Sequence, residues 1–361
     1  MDVISNPIEG NALVYCEGAF HTTYGKTAHG LVRYTRRYKV VGVIDSGCAG
    51  QDAGELLDGK RAGIPIFTDL GKALTTLAGS DEAPTHWVMG VAPDGGRLDL
   101  QTRTAMAAAI QSGLHVDSGL HQFVGEDPEL AAMAASHQVH LRDIRRPPDR
   151  GQLHFFSGKI ESVMAFRIAV LGTDSAIGKR TTAWRIVHGL EAHGKTAELV
   201  GTGQTAWLQG ARYTICLDAL VNDFVAGEIE HAVWSAWKEG GADAIVIEGQ
   251  GSLLNPAYPG GYEILAAAKP HVIVLQHAPA RKAYDGFPAY PLHPLTEQID
   301  IIERISGRPV VAVTLNHENL KPSEVPVVCR TTAQITGRPT YDLLLESPDR
   351  LVAQLLNYEN A

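Results

Sequence analysis

The stretch LGTDSAIGKRTT, residues 171–182, sets Gly172 and Gly178 around a short loop and follows them with Lys179, Arg180, Thr181 and Thr182. A buried-strand pattern, FRIAVLG, precedes it, and a helix-forming stretch, TTAWRIVHGLEAHG, follows. In that order of elements the backbone N–H groups at a helix start converge on an anion and a lysine neutralises it, which is the design of a phosphate cradle. Gly172, Thr173, Asp174 and Gly178 to Thr182 are therefore the candidate phosphate-holding residues. Counting from Thr173 restores the usual spacing to Gly178-Lys179. The departure is Arg180, because the residue after the lysine ordinarily supplies the hydroxyl that ligates Mg²⁺, and here the hydroxyls come one and two positions later. The loop keeps the parts for binding phosphate and weakens the part for cleaving it, while an arginine adds a planar donor suited to phosphate or carboxylate.

A second stretch, IVIEGQGS at 245–252, ends a strand pattern on Glu248. A carboxylate at a strand end facing phosphate suits Mg²⁺, so Glu248, with Thr181, forms the metal set if Mg²⁺ is used. A turn or capping acid is the alternative. VVAVTLN ends on Asn316, by position a turn residue, and its resemblance to the strand-end asparagine of dethiobiotin synthetases and their P-loop relatives implies that it reads an adenine edge.

The elements that must carry these residues follow from short apolar runs alternating with helix-like segments, the signature of an α/β chain wound on parallel sheets. ALVYCEG, KVVGVID, IPIFTD and HWVMGVA read as strands of a first series, with LQTRTAMAAAIQSG its clearest helix. FRIAVLGTD, AELVGTG, ADAIVIEG, PHVIVLQH and RPVVAVTLN form a second series. Between them RDIRRPPDRGQLHFFSGKIES, rich in Pro, Arg and Gly, reads as the connection, giving domains 1–150 and 151–361. In the first domain the spacing Gly18, Gly25, Gly30 is not G-x-G-x-x-G, so it does not support a dinucleotide site, and Asp45, Gly47 and Gly50 read as a turn at the sheet's carboxyl edge. His115, Asp117 and His121 lack the spacing of a strong ligand set and read as turn or interface residues.

The chain has 361 residues and a formal net charge of -9, which argues against a general nucleic-acid binder while leaving room for a small anionic ligand in a local cationic pocket. No apolar run is long enough for a membrane span and the N-terminus lacks a secretory pattern, so a cytoplasmic location and no membrane partner are expected. Cys16, Cys48, Cys216 and Cys329 are scattered without a C-x-x-C pair, which indicates neither a disulfide framework nor a zinc motif.

GTDSAIGK is similar to the loop of dethiobiotin synthetases and their P-loop relatives, and IVIEGQGS resembles their strand ending in E-G-x-G. Taken with VGTGQTAWLQG, LDALVNDFVAGEIE, IEGQGSLLNPAY and VLQHAPAR, most of the chain resembles the DgcN-like family, which includes a D-glutamate N-acetyltransferase. The resemblance implies a Rossmann-like N-terminal domain, a P-loop NTPase-like C-terminal domain with a mostly parallel sheet, and transfer of acetyl from acetyl-CoA to the amine of an acidic amino acid. Coenzyme A carries a pyrophosphate and a 3′-phosphate, so the loop can hold it without hydrolysis. Mg-ATP, in a ligase or phosphotransferase, is the alternative ligand, and a non-catalytic nucleotide-binding regulator the third reading. Acetyl transfer needs a base, an oxyanion donor and a grip on carboxylate. Asp223 or Glu248 is expected as the base, Gln204 as oxyanion donor, His277 as an aid to proton transfer, and Arg281 with Gln250 as the substrate contacts. A homo-oligomer is expected, as in P-loop relatives.

Overall fold

The computed structural model describes residues 8–359, which fall into two compact units. One runs to Pro147 and also takes in Gln204–Gly210; the other comprises Pro148–Gly203 and the chain from Ala211 onward.

The first unit is built on strands β1 (Gly10–Tyr15), β2 (Tyr38–Ile44), β3 (Ile66–Phe67), β4 (His86–Met89), β5 (His115–Ser118) and β6 (Leu141–Asp143). They are all parallel, in the order β3-β2-β1-β4-β5-β6. This is the doubly wound order whose ligand crevices lie outside the carboxyl ends of the strands. Leu13, Trp87, Met106 and Ile110 pack one face and Val14, Phe20, Leu31 and Leu208 the other, so the central strands are apolar on both sides. The helix Leu100–Gln111 starts where Asp99 accepts the Thr102 N–H at 2.7 Å. At the end of β2 the Asp45 carboxylate accepts from Gly47 N and Phe20 N, both at 2.9 Å, and so shapes the turn there. Asp117 bonds Tyr38 and Arg142 instead of joining His115 and His121 in a ligand set.

The second unit has β7 (Phe166–Gly172), β8 (Ala197–Gly201), β9 (Tyr213–Thr214), β10 (Ala244–Glu248), β11 (Val272–His277), β12 (Ala283–Tyr284), β13 (Phe287–Pro291), β14 (Val310–Leu315) and β15 (Thr340–Tyr341). Its main sheet is parallel, ordered β15-β14-β11-β7-β10-β8-β9. The fully buried β7 and β10 lie side by side at its centre, which brings the carboxyl ends carrying Gly172 and Glu248 together. The antiparallel pair β12–β13 is a hairpin turning on Asp285-Gly286, with Gly286 at φ 80. Residues read as a connection are more ordered than that: 141–143 form β6, and buried Glu230 fixes the entrance to β7 by accepting from Ser157 N at 2.7 Å and Ile160 N at 3.2 Å.

Candidate active site

The loop after β7 turns through Ala176 at φ 51 and Gly178 at φ 96 into the helix Lys179–Ala192. The left-handed geometry at Gly178 requires glycine, and glycine gives that helix no side-chain cap. A helix start of this kind presents its N–H groups to whatever lies ahead of it. Gly172 is needed for a different reason: a Cβ there would stand 2.8 Å from Lys179 Cδ, so its bare backbone lets the lysine stem pass. Lys179 Nζ donates to Asp174 O at 2.7 Å and to Gly251 O at 2.8 Å, which folds the ammonium across the loop toward the turn after β10.

Asp174 is fully buried, and both of its oxygens are saturated. Oδ1 accepts from Ser175 N at 2.7 Å and Asn255 Nδ2 at 3.0 Å; Oδ2 accepts from Arg281 Nη1 at 2.8 Å and Asp285 N at 2.9 Å. It joins the loop, the segment after the E-G-Q-G turn and the hairpin, and has no lone pair left over for a ligand. The expected ligand contact is thus a structural hub, because a buried carboxylate needs this many donors to offset its desolvation.

Arg281, expected to grip a substrate carboxylate, is committed to the same framework. Besides Asp174, it donates to Ser175 O at 2.8 Å, Ala176 O at 3.4 Å and both oxygens of Glu318. Asn316 is occupied too: its amide donates to Ile177 O at 3.2 Å and its carbonyl accepts Glu318 N at 3.0 Å. These side chains brace the loop from behind. Thr182 points at the sheet, donating to the buried Gln276 at 2.5 Å, and leaves Thr181 as the half-buried hydroxyl of the pair. Thr173 Oγ1 lies 3.0 Å from His277 Nδ1. Burial, with Lys282 nearby, pushes His277 down to about 4, so the imidazole is neutral near pH 7.

Glu248 has a different environment. Its side chain is 8% exposed; it accepts Thr202 N at 3.2 Å, and Arg180 Nη1 stands 3.9 Å away. Burial raises its pKa above the ordinary glutamate value and Asp218 adds to the rise, while Arg180, Thr202 N–H and Lys179 act against it. The result is a buried carboxylate with spare acceptor capacity and a raised proton affinity, facing two cations. Gln250 Nε2 donates to Thr202 O at 2.7 Å and stiffens the adjacent turn. The flanking glycines are demanded by the protein's own backbone: a Cβ on Gly249 would meet Val170 O at 2.6 Å, and one on Gly251 would meet Tyr258 O at 1.9 Å.

The second unit thus gathers Lys179, Arg180, Thr181, Glu248 and Gln250 around one sheet edge. Asp223 is not part of this group as a buried acid; it is exposed in the first turn of the helix Asn222–Lys238, whose N-cap position, Val221, supplies no side-chain hydrogen bond. Gln204 opens the short helix Gln204–Leu208, which packs within the first unit, where a Cβ on Gly119 would meet its Cγ at 2.6 Å. Its neighbour Thr205 bonds Thr27 at 2.9 Å there. Missed from the sequence were Asn255, Glu318 and Asp285. Of these, Asp285-Gly286 carried a readable hairpin signal.

A Rossmann-like sheet in one unit and a phosphate loop on a parallel sheet in the other define a two-domain α/β protein with a P-loop. The chain belongs to the DUF1611 family, a domain of unknown function: its P-loop domain model matches residues 154–352 and its Rossmann-like N-terminal model residues 46–147. A D-glutamate N-acetyltransferase of Pseudoalteromonas sp is 28% identical over 299 residues, covering 81% of this chain and 87% of that protein. Another from Tritonibacter scottomollicae is 28% identical over 281 residues, covering 74% and 80%. The crystal structure of a DUF1611 family protein from Anabaena variabilis superimposes with a TM-score of 0.86 at 29% identity, covering 97% of this chain and 99% of that one. Among the described residues no helix is long and apolar enough to cross a membrane.

Proposed function

We propose that the protein is an N-acetyltransferase that moves acetyl from acetyl-CoA to the amine of an acidic amino acid, with D-glutamate the first candidate. The observation that carries this reading is the Arg180–Glu248 pair. Where a metal-dependent loop sets a hydroxyl and an acid around Mg²⁺, this one sets a guanidinium 3.9 Å from a buried carboxylate. The names of the two relatives at 28% identity support the same direction.

In this reading the helix start at Lys179, with the Lys179 ammonium, holds coenzyme A phosphate, and Glu248 is the base. The substrate ammonium gives its first proton to solvent, and the free amine attacks the thioester carbonyl. The C–N bond forms as the C–S bond breaks; Glu248 takes the remaining surplus proton from nitrogen and returns it to the departing thiolate. A carboxylate whose proton affinity is raised by burial is better matched to this exchange near neutral pH than an exposed one. Arg180 steadies the carboxylate and the developing negative charge beside it. Arg281, Asp174 and Asn316 are positioning residues in this scheme, and a cytoplasmic location matches the supply of acetyl-CoA.

The test is to incubate the purified protein with acetyl-CoA and D-glutamate, without added magnesium or nucleotide, and to quantify free thiol and N-acetylated amino acid. Equimolar appearance of both is expected. ADP formed from Mg-ATP and D-glutamate, with no thiol released from acetyl-CoA, would transfer the protein to the ligase or phosphotransferase class.

A further inference from the structure

The scattered cysteines carry no metal motif, but folding of the first unit brings one of them to a histidine and a buried acid. His21 lies in the loop after β1, and Asp45 and Cys48 flank the turn after β2, at the carboxyl edge of the doubly wound sheet. Their ligating atoms all lie within 4.8 Å of one another, and Cys48 Sγ is 3.8 Å from His21 Nδ1. Tetrahedral zinc bound to sulfur at about 2.3 Å and to nitrogen at about 2.0–2.1 Å would hold those two atoms about 3.6 Å apart. Asp45 is fully buried, and its two backbone contacts at 2.9 Å fix its carboxylate while each oxygen keeps a lone pair. Cys48 is buried and His21 is exposed, so the set has two fixed ligands and one that can swing closed.

We propose that His21, Asp45 and Cys48 form a binding site for a zinc-class divalent cation. A thiolate with an imidazole selects a borderline-soft ion over magnesium, and three protein ligands leave a fourth position for water or another ligand. Binding would form the metal–sulfur bond as the Cys48 proton leaves to solvent. The glycine spacing that fails to make a dinucleotide fingerprint leaves this edge for a different ligand.

The test uses the full chain, stripped of metal and titrated with Co²⁺ and then Zn²⁺. The expected result is stoichiometric Co²⁺ with a thiolate-to-cobalt charge-transfer band in the near ultraviolet, displaced by Zn²⁺. Cys48→Ser should abolish the band, His21→Ala should weaken binding by about tenfold or more, and Cys329→Ser should leave both unchanged. A metal held at Glu248 has no sulfur ligand and gives no such band. Absence of the band in the unaltered protein, its survival in Cys48→Ser, or unchanged affinity in His21→Ala would each overturn the proposal. Because His21 is exposed, its variant does not depend on refolding the buried turn.

Discussion

Asp174 and Glu248 are both buried acids at the carboxyl edge of the same parallel sheet, and they are put to opposite uses. Asp174 receives four hydrogen bonds between 2.7 and 3.0 Å, one of them from a guanidinium. Glu248 receives one backbone hydrogen bond at 3.2 Å, with its guanidinium at 3.9 Å. A saturated carboxylate is held in place and has nothing to offer a substrate. An under-satisfied one is held at a cost, and its raised proton affinity is a means of doing chemistry. Residue type alone does not separate the two roles; the number and placement of donors does.

The largest effect that would sharpen this contrast is on stability. Asp174→Asn removes one of the two carboxylates paired with Arg281 and turns an amide nitrogen toward two of the four donors, so it should cost about 3 kcal/mol or more in denaturant unfolding, as leaving two buried donors without an acceptor does. A loss near zero would mean that Asp174 is not the hub. Next in size is Lys179→Ala, which should weaken coenzyme A by about tenfold or more, since a charge-assisted contact is worth about 1.5–3 kcal/mol. Calorimetry showing unchanged affinity would remove phosphate from the loop. The smallest expected effect is that of Asp223→Asn, which should alter kcat by no more than about twofold, because with Glu248 as the base the exposed Asp223 has no proton to carry. A large fall in thiol release would move the base from Glu248 to Asp223.

The same contrast explains what could be read from the sequence. β7, β10, β11 and β14 were legible because central parallel strands are continuous apolar runs; Glu248 was legible because it ends one, and Lys179 because a glycine-bearing loop separates it from another. β5 (HVDS) and β6 (LRD) are short and polar, so neither pattern nor composition marks them. The bracing of the loop was hidden for another reason. Asn255, Arg281 and Asp285 lie 81, 107 and 111 residues from Asp174, and only the fold turns these three distant residues into its donors. Arg281 thus read as a free grip when its N–H groups were already committed. Gln204 read as part of the P-loop domain because the chain's excursion into the first unit, Gln204–Gly210, has no sequence signal of its own.

Glu248 as the base of acetyl transfer is tested most directly by thiol release across pH at saturating acetyl-CoA and D-glutamate, for the unaltered protein and for Glu248→Gln. Because its folded pKa is raised, the ionised carboxylate destabilises the fold as pH climbs from the ordinary glutamate range to the raised value, so the neutral isostere should not lower stability at pH 7. Its kcat should nevertheless fall by about a hundredfold or more. The unaltered protein should gain activity through an apparent pKa above the ordinary glutamate range, and the variant should lose that limb. Full activity in Glu248→Gln, with the limb intact, would contradict the account.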